Sequence, residues 1–220
     1  MPFITYIKEQ QMKFNFEMWC SIFKFRGRIQ LSIILFGLYT SNVKGQVTFS
    51  SVESKLEKSD SALIFTSPST SIKFATNRAV ALSSLPNFVI IDDQNIQITS
   101  LEFDGYQKET NGDHLKDQKN LLATYSKYEL AYFKNEIGVE IINPNSQWVI
   151  SNSRGWFIWY FRSGKISTQV GAPTGIQLFA TTVIGDNILI INAPVMIDGD
   201  FAEAAYIVND LMEALTIVSQ

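Results

Sequence analysis

The aromatic run at residues 156–161 constrains the fold more than any other stretch of the chain. Aromatic and β-branched residues favour a strand, and adjacent side chains of a strand point to opposite faces of a sheet. One face therefore holds Trp156, Ile158 and Tyr160. The other face holds Phe157, Trp159 and Phe161. A sheet with one face in water alternates apolar with polar residues, so this pattern predicts a sheet that is covered on both faces.

Other strands are expected on either side of this run. They are predicted at Val139–Ile142, Trp148–Ser151, Gly155–Arg162, Ile176–Ile184 and Ile188–Asn192. Three of the four connections are short, which favours antiparallel neighbours because parallel strands need long crossovers. Upstream, a short strand is predicted at Ala62–Phe65, and a hairpin is predicted around the polar turn Asp92–Asn95.

Two helices are predicted from apolar residues that recur every three or four positions. The first begins after Asp113 as N-cap and ends at Gly138, and the second begins after Asp200. Together these elements predict an α+β fold, an antiparallel β-meander packed by two amphipathic helices, one of them C-terminal. We expect the two helices to cover one face of the sheet.

The second face then needs another cover. We expect residues 47–110 to cap it, which would bury both Trp156 and Trp159. The alternative is an apolar groove or interface on this face. The candidate binding residues for that alternative are Trp148, Phe157, Trp159 and Phe179.

The first 45 residues have the pattern of a secretory signal peptide. A basic cluster at residues 24–28 precedes the 11-residue apolar stretch Ile29–Tyr39, which is too short to span a membrane. Val43 and Gly45 fit the small residues that precede a cleavage site, so the exported chain would begin at Gln46. A translation start at Met12 or Met18 would give the signal a more usual length.

Export and charge limit the partners. Cys20 precedes the apolar stretch, so a lipoprotein is not expected, and we predict a soluble periplasmic or secreted protein. Residues 1–45 hold six of the 18 basic and two of the 21 acidic residues, which leaves 12 basic and 19 acidic residues, a net charge of −7, in the single domain 46–220. Nucleic acid is a poor partner for such a chain.

The order of the strands, the turn from Pro144 into the strand at Trp148 and the closing helix resemble the Mog1/PsbP-like fold of small exported α+β domains. This architecture-level resemblance covers about residues 136–217. It implies an accessory or assembly protein and assigns no site residues.

Catalytic and metal-binding motifs are missing from the sequence. The single His114 and single Cys20 leave no set for a triad or a metal centre, and no phosphate-binding loop occurs. No cofactor is expected. These observations favour a non-enzymatic exported module that binds an unknown protein or an apolar small ligand. Two alternatives stay open: a hydrolase with an unrecognised carboxylate or Ser site, and a self-associating envelope subunit that forms homo-oligomers.

Overall fold

The computed structural model describes residues 47–107, 112–166 and 175–219. The predicted signal peptide, Cys20 and the predicted cleavage site between Gly45 and Gln46 lie outside these ranges. The described residues form an α+β structure of antiparallel sheets and two α-helices.

Along the described chain, seven strands precede the first helix, four strands separate the two helices, and one strand follows the second. The helices are α1 (His114–Tyr132), which continues into a π-helical turn (Phe133–Ile137), and α2 (Phe201–Ala214). The strands are β1 (Thr48–Ser51), β2 (Lys55–Ser59), β3 (Ala62–Ser67), β4 (Thr70–Ala75), β5 (Val80–Leu82), β6 (Phe88–Ile91), β7 (Gln94–Asp104), β8 (Val139–Ser151), β9 (Arg154–Ile166), β10 (Gly175–Ile184), β11 (Asn187–Val195) and β12 (Leu215–Ser219).

The strands form two antiparallel sheets. The large sheet has the order β5-β6-β7-β11-β10-β9-β8, and β1 pairs with the distal half of β7. The small sheet has the order β12-β4-β3-β2. Strands β8 to β11 are neighbours in chain order, and β8 lies at one end of the large sheet.

Two-residue turns fix the register of two hairpins. Asp92 and Asp93 join β6 to β7 with φ values of 45° and 65°, and Asn152 and Ser153 join β8 to β9 with φ values of 51° and 56°. Positive φ at both positions matches the twist of paired strands, and Asn and Asp tolerate this conformation better than most residues. The turn predicted at Asp92–Asn95 is therefore confirmed, two residues shorter than expected.

The predicted helix caps are also confirmed. The Asp113 carboxylate accepts a hydrogen bond from the Lys116 N–H at 3.1 Å. The Asp200 carboxylate accepts from the N–H groups of Ala202 and Glu203. Gly138 ends the first helical segment with φ 76°, a left-handed conformation that glycine adopts without steric cost.

The helices lie on opposite faces of the large sheet. α2 and the small sheet share one core with Trp156, and α1 shares the other core with Trp159. The expectation that both helices cover one face is therefore wrong. The reason is the chain path: β12 follows α2 directly and pairs with β4, so α2 stays on the face that the small sheet covers.

Two element boundaries differ from the sequence prediction. The two strands expected at Val139–Ile142 and Trp148–Ser151 form one strand, β8, whose register shifts between Ile142 and Asn145. A bulge of this kind bends the strand without ending it. The C-terminal helix stops at Ala214, and Leu215 begins β12, although its side chain stays buried in the core of α2.

Candidate functional site

Three of the four predicted binding residues are buried in the core beneath α1. Phe157, Trp159 and Phe179 expose only 7%, 2% and 3% of their surface. Trp148 is half-buried and packs against the same core. Trp156 and Trp159 are both buried, as expected. The covers differ from the expectation, because α1 covers one face and α2 with the small sheet covers the other, whereas residues 47–110 alone were expected to cap the second face. Little of the apolar face is therefore exposed.

The aromatic rings of this core are held in a stack. The Trp159 indole lies parallel to the Phe179 ring, with centroids 3.9 Å apart and an angle of 4° between the planes. Phe133, from the π-helical turn, meets Phe161 and Phe179 edge-on at 5.3 and 6.1 Å. Offset and edge-on arrangements are the favoured geometries of aromatic pairs. Phe179 therefore serves to fix Trp159 in place.

Trp148 is positioned by a glycine on the neighbouring strand. Its six-membered ring occupies the space that a Cβ at Gly155 would fill. Gly155 belongs to the same hairpin, so a side chain at this position would displace the indole. Trp148 thus has a packing role beside the site.

A cleft of about 400 Å³ lies between α1 and strands β8 and β9, and we call it the α1-side cleft. Its lining includes two of the predicted residues, Phe157 and Trp159. The other lining residues are Ala123, Ser126, Lys127, Leu130, Pro144, Asn145, Ser146 and Tyr160.

A second cleft of about 370 Å³ lies on the opposite face of the same strand, and we call it the α2-side cleft. It lies between α2 and strands β8 to β10, and its lining is mostly apolar. The lining residues are Asn145, Ser146, Gln147, Ile158, Tyr160, Leu178, Phe201, Ala205, Val208, Asn209 and Met212. Asn145, Ser146 and Tyr160 line both clefts, so the two clefts meet at one short segment of β8.

Trp159, one of the residues that line the α1-side cleft, carries an unpaired donor. The indole N–H of Trp159 is buried and has no hydrogen-bond partner among the described residues. Other polar groups nearby are satisfied: the Ser126 hydroxyl donates to the Ala123 carbonyl at 2.9 Å, and the Asn145 amide donates to the Tyr160 hydroxyl at 3.2 Å. A buried donor without a partner costs about 1–3 kcal/mol, so it calls for an acceptor.

The lining residues limit the chemistry of both clefts. Neither lining contains a carboxylate, a histidine or a cysteine. Within the described ranges, no group of three or more His, Cys, Asp or Glu residues is placed to hold a metal ion. The titratable side chains of the linings are Lys127, in the α1-side cleft, and Tyr160, which lines both clefts.

The largest charge network lies outside both clefts. Arg78 contacts Asp92, Glu203 and Asp210 at 2.7–2.8 Å and so joins α2 to the β6–β7 turn. Hydrogen bonds to Asp92 and Asp210, followed by Glu203, raise the pKa of Arg78 above its ordinary value. On β9, burial lowers the pKa of Arg154. The Arg78 network is an attachment between elements.

Sequence reasoning identified Phe157 and Trp159 but missed the remaining lining residues. The α2-side cleft forms where α2 crosses β9 and β10, which are distant in sequence, so no local pattern marks it. The one available signal was the run of small and polar residues at 143–147 between two apolar segments. The sequence pattern predicts a connector at residues 143–145 between two strands, and no binding role for it.

Comparisons with known proteins find similar solved structures but no matching family. No family model matches the chain, and no match is found among curated proteins. The chain is similar to the solution structure of cyanobacterial PsbP (CyanoP) from Synechocystis sp. PCC 6803, at 12% identity and a TM-score of 0.36. The match covers 81% of this chain and 98% of that chain. It agrees with the weak, architecture-level resemblance to PsbP-like domains.

Across the three described ranges, no helix combines the length and the apolar character that crossing a membrane requires.

Proposed function

We propose that this chain is an exported, non-enzymatic binding module whose α1-side cleft takes an apolar group that carries a hydrogen-bond acceptor. The observation that carries the proposal is the buried, unpaired indole N–H of Trp159 in the lining of a cleft of ligand-binding size. Phe157 and Leu130 supply apolar contact surface, and the indole supplies one directional donor.

Preorganisation supports this role for Trp159. The ring is fixed against Phe179 and is only 2% exposed, so binding requires little reordering of the indole. A rigid aromatic group loses little conformational entropy on binding, which favours affinity. The cleft linings carry no carboxylate, histidine or cysteine, which favours binding over hydrolysis, and the basic and apolar pattern of residues 1–45 supports export.

The proposal is tested by a titration of the full chain with small apolar acceptors. We would use cyclohexanone, acetophenone and methyl benzoate, and follow the indole N–H signals in ¹H–¹⁵N spectra. Trp156 is the internal control, because its indole N–H is also buried and unpaired but lies in the opposite core.

We expect at least one compound to shift the Trp159 signal to saturation, with a dissociation constant of about 1 mM or below, and to leave Trp156 in place. If none of the compounds moves the Trp159 signal, or if both signals move together, the proposed site is wrong.

A further inference from the structure

Strand β8 presents a free backbone edge. It is the end strand of the large sheet, and within the described residues only β9 pairs with it. The two-residue turn at Asn152 and Ser153 makes Ser151 and Arg154 a hydrogen-bonded pair. From that pair onward, non-hydrogen-bonded and hydrogen-bonded pairs alternate along β8 and β9. Ser146, Trp148 and Ile150 therefore direct their backbone N–H and C=O groups away from β9.

Part of this edge is closed to pairing. Pro144 has no N–H. The Ser146 N–H donates to the side-chain oxygen of the preceding residue, Asn145, at 2.7 Å. Proline and bulges are devices that block edge-to-edge pairing of sheets. The open backbone is thus limited to the carbonyl of Ser146 and the groups of Trp148 and Ile150. This is enough for a segment of about five residues.

The two clefts lie on opposite faces of the large sheet beside this edge. The α1-side and α2-side clefts meet at Asn145 and Ser146. Consecutive side chains of an extended peptide also point to opposite faces. A strand laid along β8 would therefore direct one side chain towards each cleft, and strand addition of this kind takes its affinity from main-chain hydrogen bonds and its specificity from such pockets.

We infer that the partner is an extended protein segment that adds to β8 and places two adjacent, largely apolar side chains in the two clefts, the one in the α1-side cleft carrying an acceptor oxygen, as a tyrosine does. The inference rests on the proposed function for the α1-side cleft and adds the class of partner. A second copy of β8 does not fit, because its residues at 144–147 are Pro, Asn, Ser and Gln, which would leave apolar clefts unfilled.

The test uses the full chain and a panel of synthetic heptapeptides. In each peptide the two central residues are varied among Val, Leu, Phe, Tyr and Trp, and the flanking residues are Thr with a terminal Lys for solubility. Binding is measured by titration, and amide hydrogen exchange is measured at Trp148 and Ile150. We expect at least one peptide to bind and to slow exchange at both amides.

Three variants separate strand addition from other modes of binding. Ile150→Pro removes an outward N–H without breaking the β8–β9 ladder, and Ile150→Thr is its matched control at the same exposed position. Ala205→Phe fills the α2-side cleft. We expect Ile150→Pro and Ala205→Phe each to weaken peptide binding about tenfold or more and Ile150→Thr to leave it unchanged. The melting temperature and the acetophenone response of Trp159 verify the fold of each variant.

Several results would overturn the inference. One is a peptide that binds Ile150→Pro as tightly as the parent, and another is binding without protection of the two amides. If acetophenone shifts Trp159 but no peptide of the panel binds at about 1 mM, strand addition is wrong while the proposed function stands. A further such result is dimerisation that depends on protein concentration and is abolished by Ile150→Pro. It would identify a second copy of the chain as the partner and would overturn the inference. If neither compound nor peptide binds, the proposed function itself fails.

Discussion

Trp159 on β9 and Phe179 on β10 are direct cross-strand partners, and their rings stack with centroids 3.9 Å apart. The pair joins the core beneath α1 to the lining of the α1-side cleft, because Trp159 belongs to both. The core thus holds Trp159 in one orientation at the wall of the cleft. This relationship underlies the binding role proposed for the cleft.

The two buried tryptophans of β9 are expected to contribute similarly to stability. Trp156→Ala and Trp159→Ala should each lower the free energy of unfolding by about 3–5 kcal/mol, because each leaves a large cavity in a covered core. Urea unfolding of the two variants measures this loss. A loss below about 0.5 kcal/mol for either variant would be typical of a surface position and would contradict the burial of that ring.

Gly155 is expected to tolerate no side chain while Trp148 is present. Gly155→Ala should cost about 1–3 kcal/mol, because the new Cβ collides with the Trp148 ring. In a Trp148→Leu background the same substitution should cost less. Denaturant unfolding of the four proteins of this double-mutant cycle gives the coupling energy, and a coupling near zero would mean that the indole does not lie over the glycine.

Arg78 is expected to stabilise the attachment of α2. Arg78→Ala should cost about 1–2 kcal/mol at low salt, since it removes three partly exposed charge pairs, and the cost should fall as salt is added. Lys55→Ala, which removes an exposed pair with Glu57, is the control and should change stability by less than about 0.5 kcal/mol.

The pH dependence of the Arg78 effect follows from the direction of its pKa shift. A raised pKa in the folded state gives stability that is present below the unfolded-state pKa and is lost as the pH rises through the folded-state pKa. Both values lie far above neutral pH, so the difference between parent and Arg78→Ala should be constant between about pH 6 and pH 10. A steep change of this difference within that window would contradict the assignment.

Processing at Gly45 is a separate prediction from residues 1–45. Expressed with these residues in a Gram-negative host, the exported protein should begin at Gln46. Mass analysis of the N-terminus decides this. Retention of Ile29–Tyr39 in a membrane-bound product would show an uncleaved anchor instead.

Local chemistry predicted the local features of the fold. Asp113 and Asp200 were identifiable as caps because a short carboxylate before an apolar helical pattern satisfies free N–H groups of the first turn. The β6–β7 turn was identifiable from Asp92 and Asp93 for a similar reason. Burial of Trp156 and Trp159 followed from the two-residue period of the strand, which shows that both faces are apolar.

Long-range arrangement could not be predicted in the same way. The period of β9 does not show which element covers which face, and that choice depends on β12 pairing with β4, about 140 residues earlier in the chain. For the site, the sequence identified Phe157 and Trp159 as large apolar groups, but both clefts are also bordered by the short polar residues Asn145 and Ser146 of β8. Short polar side chains are a weak sequence signal for a cleft, since such residues also occur in ordinary loops.

The most direct test of the proposed binding role is the affinity for acetophenone in two matched variants. Ala123→Phe and Ala205→Phe place the same side chain at half-buried helix positions, one in the α1-side cleft and the other in the α2-side cleft. The account predicts that Ala123→Phe weakens binding about tenfold or more, whereas Ala205→Phe stays within about twofold of the parent. Parent-like binding by Ala123→Phe, or equal losses in both variants, would contradict it.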